Sequence, residues 1–233
     1  MFFPIRDDQP RFSAPVVNYF IIALNIAVFI FIELPAQFQG PRAIAILVSQ
    51  YGLIPHDLTR AFAGTPQYPL SANLLTILTS MFLHGGWQHI LGNMWILWIF
   101  GDNVEDHMGH FPYLVFYLLC GVVAALTDFA LSPLSTVPMI GASGAIAGVI
   151  AAHLVLYPGA TLGSVAPVLF LSVVESTPTL LLLLIWLATQ VLSGVASLTT
   201  STGIAWWAHL GGFASGLVLA PVLRRHRSRG GIS

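Results

Sequence analysis

The sequence predicts an all-α polytopic membrane protein: a bundle of six transmembrane helices, with a long outer loop after the first helix. Of its 233 residues, 56% are hydrophobic and only 7% are charged, whereas soluble domains have about 25% charged residues. The mean hydropathy is +0.84. Several apolar runs are about as long as the roughly 20 residues that a helix needs to cross a bilayer. We expect a single domain covering residues 1–233, with the lipid bilayer as its surroundings.

Charge and cysteine content exclude two other classes of protein. The net charge is -1 and the chain contains no lysine, so it has no basic surface for binding nucleic acid. The single cysteine, Cys120, lies inside an apolar run and cannot form a disulfide within one chain.

Each predicted span is an apolar run that ends at charged residues, glycine or proline. The first is bounded by Arg11 and Glu33, and it is followed over residues 34–79 by a long loop that we expect to be partly helical and to lie at the membrane interface. We interpret residues 162–174 as an apolar connector, because Glu175 divides a region that is too short for two spans. The six predicted spans are residues 16–33, 81–104, 111–131, 141–157, 179–195 and 203–223.

The arginines predict the orientation of these spans. Two arginines precede the first span and four follow the sixth, and arginines collect on the cytoplasmic side. Both termini are therefore predicted to be cytoplasmic, so the second, fourth and sixth spans all run from outside to inside. His84, Ser143 and His209 then share one level, roughly 5 to 10 Å below the outer surface. If residues 162–174 crossed separately, the sixth span would be inverted and His209 would face the opposite leaflet.

Ser143 and His209 are the candidate catalytic pair. Ser143 lies among small residues that include Gly141 and Gly144, and such stretches are usually helix-packing faces without chemistry. His209 lies in a second small-residue stretch with Gly212. An ionisable ring in an apolar span is a functional candidate by default, although a histidine that only links two helices is the alternative. A serine that attacks a peptide bond needs a base within hydrogen-bond reach, and small residues would allow that approach.

The same reaction needs hydrogen-bond donors for the oxygen that becomes negative. The candidates are the backbone N–H of Ser143, the ring of His84 and the side-chain amide of Asn93. Hydrogen bonds between helices are the structural alternative for these side chains. His89 lies one turn before Asn93 on the same helix face and is better placed to fix the loop above.

Two further sets of polar residues have weaker interpretations. Asp128, near the outer end of the third span, is a candidate for orienting His209, but a carboxylate that caps a helix or reaches toward water is the other reading. The second set follows the second span and is predicted to form a solvated turn on the cytoplasmic side: Asp102, Glu105, Asp106, His107 and His110.

Three motifs in order carry a family resemblance: His84-Gly-Gly-Trp-Gln-His89-Ile-Leu-Gly-Asn93, Gly141-Ala-Ser143-Gly144 and Ala208-His209-Leu-Gly-Gly. They resemble those of the rhomboid intramembrane serine proteases, specifically a bacterial branch. The resemblance extends over about residues 16–222 and includes Phe100-Gly-Asp-Asn-Val-Glu-Asp106.

The resemblance implies a fold, an activity and a role for each motif residue. It implies a rhomboid-like bundle in the bacterial inner membrane that cleaves membrane-anchored proteins near the outer ends of their spans, without metal or cofactor. Ser143 would be the nucleophile and His209 its base, while His84 and Asn93 would assist the oxyanion. The oligomeric state is left open.

The chain departs from the family pattern at two places. Many rhomboids have a Trp-Arg pair in the first loop, where this chain reads Leu74-Leu75-Thr76. Many also have an aromatic residue four positions after the serine, stacked on the histidine, and here that position is Ala147. Neither departure removes a reacting group.

Two other functions remain open from the sequence. An inactive rhomboid-like membrane chaperone could keep the fold without the chemistry. A small transporter would also place polar groups inside a helical bundle, but it would more often show an internal repeat or paired broken helices. A zinc protease is not supported, since the chain has no His-Glu-x-x-His motif.

Overall fold

Helices form most of the structure, a computed structural model that describes residues 3–64, 69–168, 171–197 and 205–224. Apolar runs in a bilayer become helices because a helix satisfies its own backbone hydrogen bonds. The helices are α1 (Val16–Val28), α2 (Leu34–Gln39), α3 (Pro41–Tyr51), α4 (Pro55–Phe62), α5 (Leu70–Thr79), α6 (Trp87–Met108), α7 (His110–Leu131), α8 (Ser143–Leu156), α9 (Thr179–Ser197) and α10 (Trp206–Leu223).

Four helical stretches among the described residues are long and apolar enough to cross a membrane, as expected for an integral membrane protein. Helices also lie at the predicted second and fourth spans, but α6 carries acidic residues and α8 has only 14 residues. The four stretches are Val16–Gln39, His110–Leu131, Thr179–Ala196 and Trp206–Leu223.

Several helix boundaries differ from those predicted. The first helical stretch continues past Glu33, because a π-helical turn (Phe29–Glu33) joins α1 to α2 without a break. The predicted second span begins with a 3-10 turn (Ser80–Phe82) and four non-helical residues before α6. Gly109 separates α6 from α7 with a φ of +90°, a conformation that side-chain-bearing residues rarely adopt. The described part of the predicted loop over residues 34–79 is largely helical, containing α2 to α5.

The 14-residue helix α8 lies at the centre of the bundle. Every residue from Gly144 to His153 is buried, and α6, α7 and α10 pack around it. A 14-residue helix is about 21 Å long, less than the roughly 30 Å of hydrocarbon. A short helix among longer neighbours starts below their ends, and this recess leaves room for a cavity above its first residue.

The prediction of an all-α fold is wrong in one region, where three strands form an antiparallel sheet. The strands are β1 (Phe3–Asp7), β2 (Thr161–Val168) and β3 (Leu171–Pro178), in the order β1-β2-β3. The predicted connector, residues 162–174, contains four valines, and this β-branched residue favours pairing as strands.

The two ends of the β2-β3 hairpin lie side by side, so that α9 begins close to the start of β2. Thr161 is opposite Pro178 in the ladder, and the N–H of Thr179 donates to the carbonyl of Ala160 at 3.0 Å. The connector therefore does not cross between α8 and α9, which leaves α10 running parallel to α8.

The prediction of a solvated acidic turn is wrong for Glu105 and Asp106, whose exposed fractions are 0% and 3%. The carboxylate of Glu105 accepts hydrogen bonds from the N–H groups of Val17 at 3.0 Å and Asn18 at 2.7 Å. These N–H groups lie in the first turn of α1, which has no side-chain cap of its own. Glu105 supplies that cap from another helix.

Three neighbouring carboxylates are also held by donors. Asp106 accepts from the Ser13 hydroxyl and from the N–H of Phe12. Asp102 pairs with Arg11 at 3.3 Å. Asp7 accepts from the Asn103 amide at 2.6 Å and faces the His153 Nε2 at 2.9 Å. The carboxylates of this set, together with their donors, are called the α6 carboxyl-end network below; they belong to Asp7, Asp102, Glu105 and Asp106.

Candidate active site

The turn before α8 positions Ser143 as the first residue of that helix. Gly141 has a φ of +125°, and a Cβ atom there would lie 2.7 Å from Nε2 of His89, so this position requires glycine. The N–H of Gly141 donates to the carbonyl of Ser80 at 2.9 Å. In the first turn of a helix the N–H groups lack intrahelical acceptors, so the N–H of Ser143 is available to a ligand at this end of α8.

The structure brings Ser143 and His209 together, with Nε2 of the ring 2.8 Å from Oγ of the serine. Close packing of α8 on α10 makes this possible, because a Cβ atom on Gly212 would collide with the carbonyl oxygen of Gly144. A Cβ atom on Gly144 would in turn lie 2.6 Å from the Cβ of Ala124 on α7. The close approach of the two small-residue stretches that the sequence predicts is therefore present.

The depth of the pair follows from the length of α7. That helix continues seven residues beyond Ala124, to Leu131, which corresponds to about 10 Å along the helix axis. Because Ala124 packs against Gly144, the neighbouring Ser143 lies about 10 Å below the end of α7.

Gln190 on α9 holds the other side of the His209 ring, a role that the sequence analysis missed. Its Oε1 lies 2.6 Å from Nδ1 of His209, and its side chain is only 5% exposed. An amide oxygen can only accept, so Nδ1 carries the proton, and in the neutral ring Nε2 then presents its lone pair to the Ser143 hydroxyl. An amide in an otherwise apolar span was the available signal.

Aromatic rings also surround His209, although none comes from the position four residues after the serine. Ala147 is buried with an exposed fraction of 0%. The rings of Trp186 and Trp206 each lie 6.2 Å from the His209 ring, centroid to centroid. Aromatic packing of the histidine therefore comes from α9 and α10 instead of α8.

The predicted oxyanion residues occupy different positions relative to Ser143. Asn93 lines the same cavity as Ser143, and its amide nitrogen is buried without a hydrogen-bond partner among the described residues. His84 is fully buried behind His89, with ring centroids 5.1 Å apart and edge to face, and it is not part of the cavity wall.

The segment before α6 is fixed by two polar contacts. Nδ1 of His89 accepts a hydrogen bond from the N–H of Gly85 at 3.3 Å, which ties the ring to the loop before α6. The N–H of His84 donates to the buried Oε2 of Glu33 at 2.8 Å. Glu33, which the sequence analysis treated only as a span boundary, thus anchors the His84 backbone.

A cavity of about 560 Å³ opens above the pair; it is called the Ser143 cavity below. Asp128 lines this cavity and is 7% exposed. The structure does not support Asp128 as the group that orients His209, because Gln190 occupies that position on Nδ1. The polar residues of the wall used below are His89, Asn93, Asp128, Ser132, Ser143, Gln190 and His209.

Comparison with known proteins identifies the family. Residues 71–226, two thirds of the chain, match the family model described as the Rhomboid domain. The chain belongs to the rhomboid family. The match contains every motif that carries the resemblance in sequence, including Ser143 and His209.

Individual rhomboid relatives are similar at modest identity. Rhomboid-like protein 11, chloroplastic, from Arabidopsis thaliana is 39% identical over 74 residues, covering 32% of this chain and 26% of that protein. The putative rhomboid protease YdcA from Bacillus subtilis (strain 168) is 26% identical over 140 residues, covering 60% and 61%. Human presenilin-associated rhomboid-like protein, mitochondrial, is 25% identical over 206 residues, covering 84% and 45%. This rhomboid chain thus spans between 26% and 61% of the lengths of these three relatives.

The geometry of this rhomboid site suits nucleophilic chemistry on a carbonyl group. It combines a serine hydroxyl, a neutral imidazole that can accept its proton, a free helix-terminal N–H and an unpartnered amide donor. These groups meet at a cavity that is large enough for several side chains of an extended peptide.

Proposed function

We propose that this rhomboid is an intramembrane serine endopeptidase that cleaves membrane-anchored proteins near the outer leaflet with Ser143 and His209. The 2.8 Å hydrogen bond between the hydroxyl and the ring Nε2, at the wall of the Ser143 cavity, carries the proposal. A serine held against a histidine base is the usual requirement for acyl transfer by a hydroxyl group.

In the first half of the reaction, Nε2 of His209 takes the proton from Ser143 as Oγ attacks the carbonyl carbon of the substrate. The carbonyl π electrons move to the oxygen, which becomes the oxyanion. When the tetrahedral species collapses, the C–N bond breaks and the imidazolium returns its proton to the leaving amine. Water then repeats the sequence on the acyl-serine and frees the second product.

The oxyanion needs donors, and the proposed ones are the N–H of Ser143 and the Asn93 amide. Both are available: the N–H belongs to the first turn of α8, and the amide has no partner among the described side chains and backbone groups. We also include His84, because the family resemblance assigns this histidine to the oxyanion. Its ring is not part of the cavity wall, so it would have to move toward the Ser143 cavity to reach an oxyanion. Gln190 stabilises the imidazolium because its Oε1 accepts a hydrogen bond from the Nδ1–H of His209.

The proposed arrangement in the membrane has six spans, both termini in the cytoplasm, and the Ser143 cavity facing the outer side of a bacterial inner membrane. The single cysteine, Cys120, is buried, so its low background allows labelling of cysteines introduced at Ser132 and His226. In intact cells an impermeant maleimide should label the first and not the second. The reverse pattern would invert the topology and place the cavity on the inner side.

Labelling with a fluorophosphonate tests the nucleophile directly. The phosphorus of this probe forms a bond to an activated serine Oγ while fluoride leaves. Wild type should be labelled and Ser143→Ala should not, while Ser132→Ala, which removes another hydroxyl from the cavity wall, should be labelled like wild type. Equal labelling of wild type and Ser143→Ala would make the assignment of the nucleophile wrong.

The same preparations separate the proposal from its alternatives. An inactive membrane chaperone predicts that wild type is neither labelled nor able to cleave any membrane-anchored substrate. A transporter predicts solute or ion flux into liposomes that survives Ser143→Ala. Cleavage of a model transmembrane substrate by wild type, lost in Ser143→Ala, excludes both.

A further inference from the structure

Asp128 is placed to touch a substrate close to the bond that Ser143 would attack. It lies one helical turn after Ala124 on the same face of α7, and Ala124 packs against Gly144. The carboxylate therefore lies on the outer side of Ser143, displaced by about 6 Å along the helix axis. Both residues line the Ser143 cavity.

The carboxylate of Asp128 is buried without a partner in the described part of the chain. The exposed fraction of Asp128 is 7%, and the described residues provide neither a hydrogen bond nor an ion pair to its carboxylate. The wall of the cavity contains no arginine or lysine. A buried carboxylate without donors is unfavourable, so its presence beside the candidate nucleophile calls for a group that arrives from outside.

The carboxylates of the α6 carboxyl-end network, unlike that of Asp128, have hydrogen-bond donors in the protein. Each member of the α6 carboxyl-end network has at least one protein donor, and Glu105 has two backbone N–H groups and the His110 ring. Asp128 differs in facing open space where the others face donors.

We propose that Asp128 forms a charge-selective subsite that binds a lysine or arginine side chain of the substrate, close to the cleaved bond. The proposal rests on the proposed protease function and adds the class of side chain that the site selects. The aliphatic stem of such a residue can lie along apolar cavity residues such as Ala124 and Val137 while its charged end reaches the carboxylate. A charge-assisted hydrogen bond then forms in a water-poor site, where it is strong.

The experiment compares the full-length protein with its Asp128→Asn variant in liposomes, using one model transmembrane substrate that is cleaved at a mapped bond. Lysine, methionine or glutamate is placed in turn at each of the positions within about three residues of that bond, and kcat/KM is measured for every substrate. Methionine matches the length of lysine without its charge. Taking the ratio of lysine to methionine within one enzyme cancels any general loss of activity in a variant.

Wild type should favour lysine over methionine by at least about tenfold at one position, and glutamate should be the poorest residue there. In Asp128→Asn the ratio should fall to about one, because the amide keeps the shape and loses the charge. Ser132→Ala, a neutral polar change on the same cavity wall, should keep the wild-type ratio. Fluorophosphonate labelling of Ser143 in each variant verifies that it is folded.

Two results would overturn the proposal in different ways. If wild type cleaves the substrate but no position favours lysine, or if Asp128→Asn keeps the wild-type preference, the subsite is wrong and the protease function stands. If wild type neither cleaves nor is labelled at Ser143, the proposed function is wrong and the subsite falls with it.

Discussion

Glu105, near the carboxyl end of α6, and Asn93, near its amino end, differ in whether the protein supplies their hydrogen-bond partners. At the carboxyl end, Glu105 is fully buried and both of its oxygens accept hydrogen bonds from the protein. Near the amino end, Asn93 is 9% exposed, and its amide nitrogen has no partner in the described structure. Asp128, across the cavity wall, is likewise without a donor in the described residues.

This difference separates polar groups that hold the fold from polar groups that await a ligand. Leaving a buried donor or acceptor unpaired costs about 1 to 3 kcal/mol, and this cost is removed where a bound molecule supplies the missing partner. Every carboxylate of the α6 carboxyl-end network has a partner in the protein, whereas Asn93 Nδ2 and the Asp128 carboxylate at the Ser143 cavity have none among the described residues. Residue type and burial are similar in both regions, so hydrogen-bond satisfaction is the property that distinguishes them.

The sharpest test of this division is removal of the reacting pair. Ser143→Ala and His209→Ala should each lower kcat by roughly 10⁴-fold or more, because neither group works without the other. For the same reason the double variant should be no slower than either single variant. Cleavage assays in liposomes measure the rates, and thermal unfolding in detergent should change little. A double variant that is much slower than both single variants would show that the residues do not act as one unit.

Removal of Glu105 should have the opposite signature. Glu105→Ala strips the N–H groups of Val17 and Asn18 of their acceptor, and two buried unpaired N–H groups should lower the free energy of unfolding by about 2 to 5 kcal/mol. Glu105→Gln retains an oxygen acceptor and should lose less. Unfolding in mixed detergent micelles measures the stability. A stable Glu105→Ala protein with a low kcat would assign Glu105 to the catalytic region and remove the distinction.

Asn93→Ala should slow the reaction without weakening the fold. Loss of one oxyanion donor lowers kcat by roughly 10² to 10³-fold in serine proteases. The amide nitrogen has no partner in the described structure, so its removal should leave the free energy of unfolding close to that of wild type. Labelling of Ser143 by a fluorophosphonate should persist. The opposite result, a normal kcat with reduced stability, would make Asn93 a structural residue.

Local sequence signals predicted the part of the site that depends on neighbouring residues. The small residues beside Ser143 and His209 allow two helices to touch, and the arginines at the two ends imply that these helices run in the same direction. Contacts between distant segments were not predictable in this way. Glu105 caps α1 across a separation of 87 residues, and β1 pairs with β2 through Phe3 and Val165. The role of Gln190 was not predicted because its partner, His209, lies on the next helix.

Gln190 gives the smallest expected effect and tests whether orientation of the base matters. Gln190→Leu removes the acceptor from Nδ1 of His209 and should lower kcat roughly tenfold with little change in KM. Gln190→Glu keeps an oxygen at that position and should recover most of the loss, whereas a purely structural role would not distinguish the two variants in this way. Val191→Ala, at the exposed position on the other side of Gln190 in sequence, is the matched control and should behave as wild type. Because the acceptor lies on α9 and the base on α10, a loss confined to kcat would mean that the catalytic histidine is aligned only while these two helices remain packed together.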